Sequence, residues 1–292
     1  MGILILGFTE NILKVLRVND SKEIILKDRY ILSFNINDET YLKRNQDELI
    51  SEFSGYIFNI LKNESPEVNT ASVVIDTAQT FLNVIPVDFN EDQNNINSHI
   101  LWELSNYYPE KYKDFKIKYY RLNNNSRNEG IDDVLLIAIY NSKINFIKKL
   151  CNASNVKIKN IEIDQFAVEK CLKENYKPDI FNKNILIVGC KNSRLDYSLI
   201  SNEDLKYYNY DLFEGSNYKT SLVKQMDFFN YTFSNQTIGH IFLYGNGNLE
   251  NVKNFLEVEF PNLKISTIDT IDSFGSNDSS FASLYGLALK NL

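Results

Sequence analysis

Four apolar residues in a row lead into a glycine at two places in the chain, Ile3–Gly7 and Ile185–Gly189, 182 positions apart. In each case a polar turn follows and a second apolar run returns, Ile12 to Val18 and Leu195 to Ile200. Both stretches read as β-hairpins whose first strand is buried on both faces. A glycine at the end of such a strand lets the backbone approach a neighbour or a ligand where a side chain would collide. The recurrence suggests a duplicated core, although two unrelated hairpins would satisfy the same pattern.

The rest of the pattern alternates strand and helix periods. It predicts a strand at Arg29 to Ile36, a helix near Asp47 to Leu61 with Leu49, Ile50, Phe53, Ile57, Ile60 and Leu61 on its apolar side, and a strand at Ala71 to Ile75. Next come a strand Thr80 to Pro86, a helix Ile96 to Tyr107, strands Phe115 to Leu122 and Val134 to Tyr140 with a long polar loop at Asn123 to Gly130, and a helix Lys143 to Cys151. Ile158 to Ile163 reads as a strand, Asp164 as the cap of a helix through Leu172, and Pro178 as a hinge. Beyond it the pattern predicts a three-strand meander from Ile185 to Tyr210, a helix Tyr218 to Tyr231, a strand Ile238 to Leu243, a helix Leu249 to Glu257, a short strand near Ile265 and a last helix from Ser280.

Composition narrows the function classes. The chain has 292 residues, 43% of them apolar, enough for two lobes with real cores. Its formal charge is −7, which provides no global field for nucleic acid or anionic lipid. Apolar stretches such as Val134 to Tyr140 fall far short of the roughly 20 residues that span a bilayer. The first residues run straight into strand-like sequence without a basic segment or signal-length apolar run, so the expected location is cytoplasmic. Cys151, Cys171 and Cys190 are odd in number and widely spaced, the mark of reduced, apolar side chains rather than of a disulfide framework or metal pair.

Chemical equipment is sparse. The two histidines, His99 and His240, lie near neither each other nor a cysteine, and no zinc signature can be written. No Walker loop, dinucleotide fingerprint or nucleophile elbow occurs. No catalytic residue and no metal ligand is assigned.

The order of elements, together with the phrases LWELSNYYP (Leu101 to Pro109), DDVLLIAIYNSKINFIKKL (Asp132 to Leu150), KNIEIDQFAV (Lys159 to Val168) and FASLYGLALKNL (Phe281 to Leu292), resembles the PilM family of type IV pilus assembly proteins, within the actin-like ATPase superfamily. The cell-division protein FtsA and the cytoplasmic domain of the secretion protein GspL share that architecture. The resemblance implies an α/β, actin-like fold of two ribonuclease H-like lobes. Subdomain 1A would be 1–78, completed by 155–178 and 279–292; a 1C-type insert would be 79–154; the second lobe, 2A, would be 179–278. Subdomain 2B is expected to be reduced or absent, because DLFEGSNY passes directly from Tyr210 into a helix.

In the family the duplicated hairpins are phosphate loops with an aspartate two residues before each glycine. Here those positions are Ile5 and Ile187, and isoleucine offers neither a magnesium ligand nor a base. The resemblance makes Gly7, Thr9, Gly189, Lys191 and Asn192 remnants of the phosphate loops, and makes Lys14 the family lysine if two residues are inserted in the hairpin. Gly245 and Gly247 of LYGNGN become a remnant of the adenosine motif, or simply a strand-to-helix turn that requires glycine. No cofactor is expected. The implied role is a cytoplasmic scaffold at the inner face of the cytoplasmic membrane, binding a short cytoplasmic peptide of a PilN-like inner-membrane protein in a groove between 1A and 1C, beside other pilus or secretion platform proteins, without ATP hydrolysis and without nucleic acid. Trp102, Tyr107 and Tyr108 are candidate contacts, or a helix packing on the insert's sheet. The alternative is an active actin-like ATPase or filament former with Glu10 or Asp196 serving the metal; a sugar-kinase-like enzyme would need the same missing chemistry.

Overall fold

The computed structural model describes residues 2–62, 69–122, 130–175, 184–233, 238–268, 270 and 278–292. Along the chain run β1 (Gly2–Thr9), β2 (Ile12–Asn19), β3 (Ile24–Ile31), α1 (Glu39–Arg44), α2 (Gln46–Lys62), β4 (Thr70–Ile75), β5 (Phe81–Asp88), α3 (Gln93–Tyr107), β6 (Phe115–Leu122), β7 (Ile131–Tyr140), α4 (Asn141–Ala153), β8 (Lys157–Ile163), α5 (Asp164–Asn175), β9 (Asn184–Cys190), β10 (Arg194–Ser201), β11 (Asp204–Leu212), α6 (Tyr218–Thr232), β12 (Ile238–Gly245), α7 (Leu249–Glu259), β13 (Lys264–Thr267) and α8 (Ala282–Asn291). They fall into two compact units, 1–80 with 139–175 and 269–292, and 81–138 with 176–268.

The first unit holds a sheet in the order β3-β2-β1-β4-β8, and the second a sheet in the order β11-β10-β9-β12-β13. Each is an antiparallel meander joined to two parallel strands, with the β1–β2 hairpin at the place that β9–β10 takes in the other. The repeated hairpins are therefore one topology used twice. The actin-like fold class expected from the sequence is the one observed.

Strand alternation divides β1 between two faces. Leu4, Leu6 and Phe8 join Leu13 and Val15 in a core that also takes Leu49, Phe53 and Ile57 of α2 and Phe146, Ile147 and Leu150 of α4. The i, i+4 spacing of those α2 residues explains why that stripe is buried, and Asp47 and Glu48 in its first turn with Lys62 in its last suit the helix dipole. The opposite face, with Ile5 and Gly7, lies toward α8. In the second unit Leu186, Val188, Leu195, Tyr197 and Leu199 meet Leu222, Met226 and Phe229 of α6 and Val252 and Leu256 of α7. A third sheet, β5-β7-β6, packs with α3, whose start is capped by the Asp92 carboxylate accepting from the backbone N–H groups of Asn94 and Asn95.

Two local readings need correction. The strand expected at Arg29 to Ile36 is β3, five residues earlier, because the tight turn after Asn19 obliges pairing with β2 to begin at Ile24. Leu32, Phe34 and Ile36 are still buried: the N–H of Leu32 donates to the Asn11 carbonyl and that of Ile36 to the Glu10 carbonyl, so the alternation reports burial along the hairpin tip rather than a ladder strand. Helix α1, started by the Asp38 carboxylate on the Tyr41 N–H, was not anticipated. Asp164 opens α5, and its carboxylate also accepts from the Thr77 N–H at 2.9 Å, tying the exit of β8 to the exit of β4. The final helix begins at Ala282, after a 3-10 turn at Ser279–Phe281. The hinge read at Pro178 lies outside the described residues, as does nearly all of the loop read at Asn123 to Gly130. β11 reaches α6 through 213–217.

Candidate functional site

In the first unit Gly7 and Lys14 face each other across the β1–β2 ladder, and Thr9 ends β1 opposite Ile12. A Cβ on Gly7 would lie 2.7 Å from Cδ1 of Leu284, so this glycine admits a leucine of α8. Lys14 is 4% exposed, and its ammonium donates to the Ser280 carbonyl at 2.7 Å, within 5.6 Å of the Phe281 ring centre. Burial, reinforced by Arg29, pushes the Lys14 pKa down to about 7 against the opposing pull of Asp278, Asp76 and Asp164. Arg29 is anchored to the same turn through Ser280 Oγ (2.8 Å) and Asp278 (3.6 Å). Lys14, the candidate phosphate-loop lysine, is thus engaged by the chain's own 3-10 turn. Ile5, two residues before Gly7, is completely buried.

In the second unit Gly189 faces Asp196 across the β9–β10 ladder, and Ile187 is completely buried. Asp196 is itself 0% exposed, and its Oδ1 takes hydrogen bonds from Arg194 (2.9 Å) and from the Tyr208 hydroxyl (2.6 Å) while Lys191 lies 3.6 Å from Oδ2. Arg194 also stacks on the Tyr210 ring at 3.8 Å. This buried carboxylate is the counter-charge of the buried Arg194, with Lys191 beside it. Glu10 sits exposed in the first hairpin turn at φ 50°. Among the described residues no group of three or more His, Cys, Asp or Glu side chains could hold a metal ion.

The LYGNGN glycines meet the second hairpin. Gly245 has φ 125°, and a Cβ there would stand 2.1 Å from the Cys190 carbonyl oxygen; one on Gly247 would stand 2.3 Å from the Lys191 carbonyl carbon and 2.5 Å from the Asn192 nitrogen. The Gly247 N–H donates to the Cys190 carbonyl at 3.1 Å. Gly189, Lys191, Asn192, Gly245 and Gly247 are thus brought together, with backbone filling the space between the glycines and the hairpin. None of the three buried cysteines is in a disulfide, and burial pushes the thiols of Cys151 and Cys190 up to about 12.

The aromatic residues of α3 divide. Tyr107 and Tyr108 close on Phe81 at 5.0 and 5.4 Å, and Tyr107 accepts a hydrogen bond from Asn83. Trp102, 58% exposed, stacks on His99 at 5.8 Å. Five helical residues turn the chain by about 140° beyond one full turn, so Trp102 and Tyr107 cannot share one face. The sequence reading did not anticipate a cavity of about 210 Å³ in the first unit, lined by Ile36, Leu42 and Phe146 and by polar Gln46, Lys143, Asn145 and Lys149. The helix that became α4 was legible, but its partner α1 was not, so their shared cavity had no signal.

Similarity to known proteins agrees with this architecture. The solved "PilM-PilN type IV pilus biogenesis complex" superposes with a TM-score of 0.68 at 13% identity, covering 99% of this chain and 98% of that one. A Bacteroides thetaiotaomicron protein of actin-like ATPase fold and unknown function gives 0.54 at 10% identity, covering 97% and 95%. The cytoplasmic domain of EpsL, an inner-membrane component of the Vibrio cholerae type II secretion system, gives 0.53 at 9% identity, covering 100% and 96%. At these identities the likeness is one of fold. No curated protein matches the chain in sequence. The family model of the type IV pilus assembly protein PilM, however, matches residues 7–252, and the chain belongs to that family.

Proposed function

We propose that this chain is a non-hydrolysing, actin-like scaffold on the cytoplasmic face of a type IV pilus or related secretion platform, and that it holds an extended cytoplasmic peptide of a PilN-like inner-membrane protein. The observation that carries the reading is the occupation of both hairpins by the chain itself: Ser280 on Lys14, Leu284 on Gly7, and the Arg194–Asp196 pair behind Gly189. A triphosphate with its hydrated cation would meet isoleucine at both carboxylate positions and no free lysine. The EpsL domain, also described as part of an inner-membrane machine, supports the same setting. No helix of the described residues is long and apolar enough to cross a membrane, so attachment through a membrane-spanning partner fits.

The α1–α4 cavity is the favoured seat for the peptide, since buried Ile36, Leu42 and Phe146 offer an apolar pocket flanked by hydrogen-bonding side chains. Deleting the insert is a poor test, because Phe146, Ile147, Leu150 and Cys151 of α4 belong to the first unit's core. Calorimetric titration with the partner's cytoplasmic peptide is the better one. An affinity near micromolar, on the order of −8 kcal/mol, is expected, with no heat from Mg-ATP. Asn145→Trp, an exposed lining position, should weaken peptide binding at least about tenfold by filling the cavity. Trp102→Ala with Tyr107→Ala tests the α3 surface. Full binding by Asn145→Trp and loss with the α3 pair would move the seat to α3. Magnesium-dependent phosphate release that disappears on replacing Glu10 or Asp196 would overturn the scaffold reading itself.

A further inference from the structure

One stretch departs from the chain's overall acidity. Residues 111–121 carry Lys111, Lys113, Lys116, Lys118 and Arg121 against Asp114 alone, in a protein of formal charge −7. They form the 3-10 turn Tyr112–Asp114 and β6, an edge strand of the β5-β7-β6 sheet. All five basic side chains are exposed. Strand alternation sets Lys116 and Lys118 on one side, about 7 Å apart. The intervening residues turn to α3: Phe115 is buried, and the Tyr119 hydroxyl accepts from Gln93 at 2.9 Å.

Arg121 is neutralised by Asp132. Lys111, Lys113 and Lys116 form no ion pair with any described residue. Aromatic rings lie between the charges: Lys113 over Tyr112 at 5.5 Å, Lys118 over Tyr120 at 4.7 Å and Arg121 over Phe89 at 4.4 Å. The edge therefore presents a row of ammonium heads whose stems and neighbouring rings are amphipathic.

We propose that this basic, aromatic edge docks on an anionic lipid bilayer. Tyrosine rings beside cationic heads are the side-chain mixture that settles at headgroup depth. The potential of an anionic leaflet fades within a Debye length of about 8 Å at physiological salt, so the orientation of this edge outweighs the acidity of the rest of the chain. A single-stranded nucleic acid is the poorer match, because it would stack on open ring faces, and a lysine stands over one face of each of Tyr112 and Tyr120. The peptide reading above is not needed for this proposal; if both hold, a tethered partner would raise the effective concentration of a weak surface contact.

The test is co-sedimentation of the full chain with vesicles of phosphatidylcholine alone or mixed with phosphatidylglycerol, at low and at physiological salt. Each lysine within reach of the surface is worth roughly fivefold in partitioning, so Lys111→Gln/Lys113→Gln/Lys116→Gln should lower binding to the anionic vesicles on the order of a hundredfold. Lys170→Gln/Lys173→Gln, on α5, should leave it unchanged, and circular dichroism verifies that both variants are folded. Wild-type binding that ignores phosphatidylglycerol or salt, or a triple variant that binds as well as wild type, overturns the proposal. Tighter binding to a single-stranded oligonucleotide than to the anionic vesicle overturns it in favour of nucleic acid.

Discussion

Replacing Gly286 by alanine tests how α5 and α8 are held. Gly286 lies in the middle of α8, and a Cβ there would come 2.0 Å from the carbonyl oxygen of Ala167 and 3.1 Å from the Cys171 nitrogen, both backbone atoms of α5. Ordinary contact begins near 3.4 Å, so the two helices would have to separate by about 1.4 Å. The same helix carries Leu284 against Gly7, donates the Tyr285 hydroxyl to the Lys22 carbonyl at 2.9 Å and the Lys290 ammonium to the Phe166 carbonyl at 3.0 Å. A shift that large would disturb all three. Overpacking of this kind costs about 1–3 kcal/mol, and the rigid backbone neighbour places it toward the upper end; the helix propensity of alanine returns up to about 1 kcal/mol. A net loss of about 2 kcal/mol is expected, a fall of about 4–8 °C in midpoint for a unit of this size. Gly55→Ala is the matched control: Gly55 is exposed on α2 with nothing within 4 Å of its added Cβ, so propensity acts alone and should stabilise by about 0.5–1 kcal/mol. Thermal unfolding followed by circular dichroism reads both. A Gly286→Ala protein as stable as wild type, or stabilised like Gly55→Ala, would refute the close helix crossing.

Two further outcomes follow from the hairpins. Lys14 titrates near 7 in the folded chain and near 10.5 when unfolded, so below about pH 7 both states hold the proton and the native state bears the full cost of a buried charge. As the pH climbs from 7 toward 10 the native state releases that proton first and stability rises, by about 2–3 kcal/mol between pH 7 and pH 9. Denaturant midpoints should show this rise in wild type and lose it in Lys14→Met; a rise that persists in Lys14→Met would assign it to another group. Asp196→Asn should cost about 3–5 kcal/mol by leaving Arg194 buried without its counter-charge, and magnesium should not change the wild-type midpoint. A magnesium-induced rise that Asp196→Asn removes would make Asp196 a ligand after all.

What the sequence determined by itself is the repeated unit. Ile3–Gly7 and Ile185–Gly189 could be matched because a strand buried on both faces must be continuously apolar, and a glycine at the same place in each run marks the repeat. The isoleucines at positions 5 and 187 were equally legible, since the presence or absence of a carboxylate needs no coordinates. The tertiary structure decided what packs against the two hairpins. No local pattern could place Ser280 on Lys14, 266 residues away, or Leu284 beside Gly7. Nor could it turn Asp196 from a candidate ligand into the partner of a buried arginine. It likewise decided that Leu32, Phe34 and Ile36 are buried without being strand, and that α1 and α4 leave a cavity between them. Hydrophobic periodicity records which side of an element is buried, while the identity of the atoms that bury it is fixed by chain closure over long sequence separations, where only the folded arrangement specifies the contact.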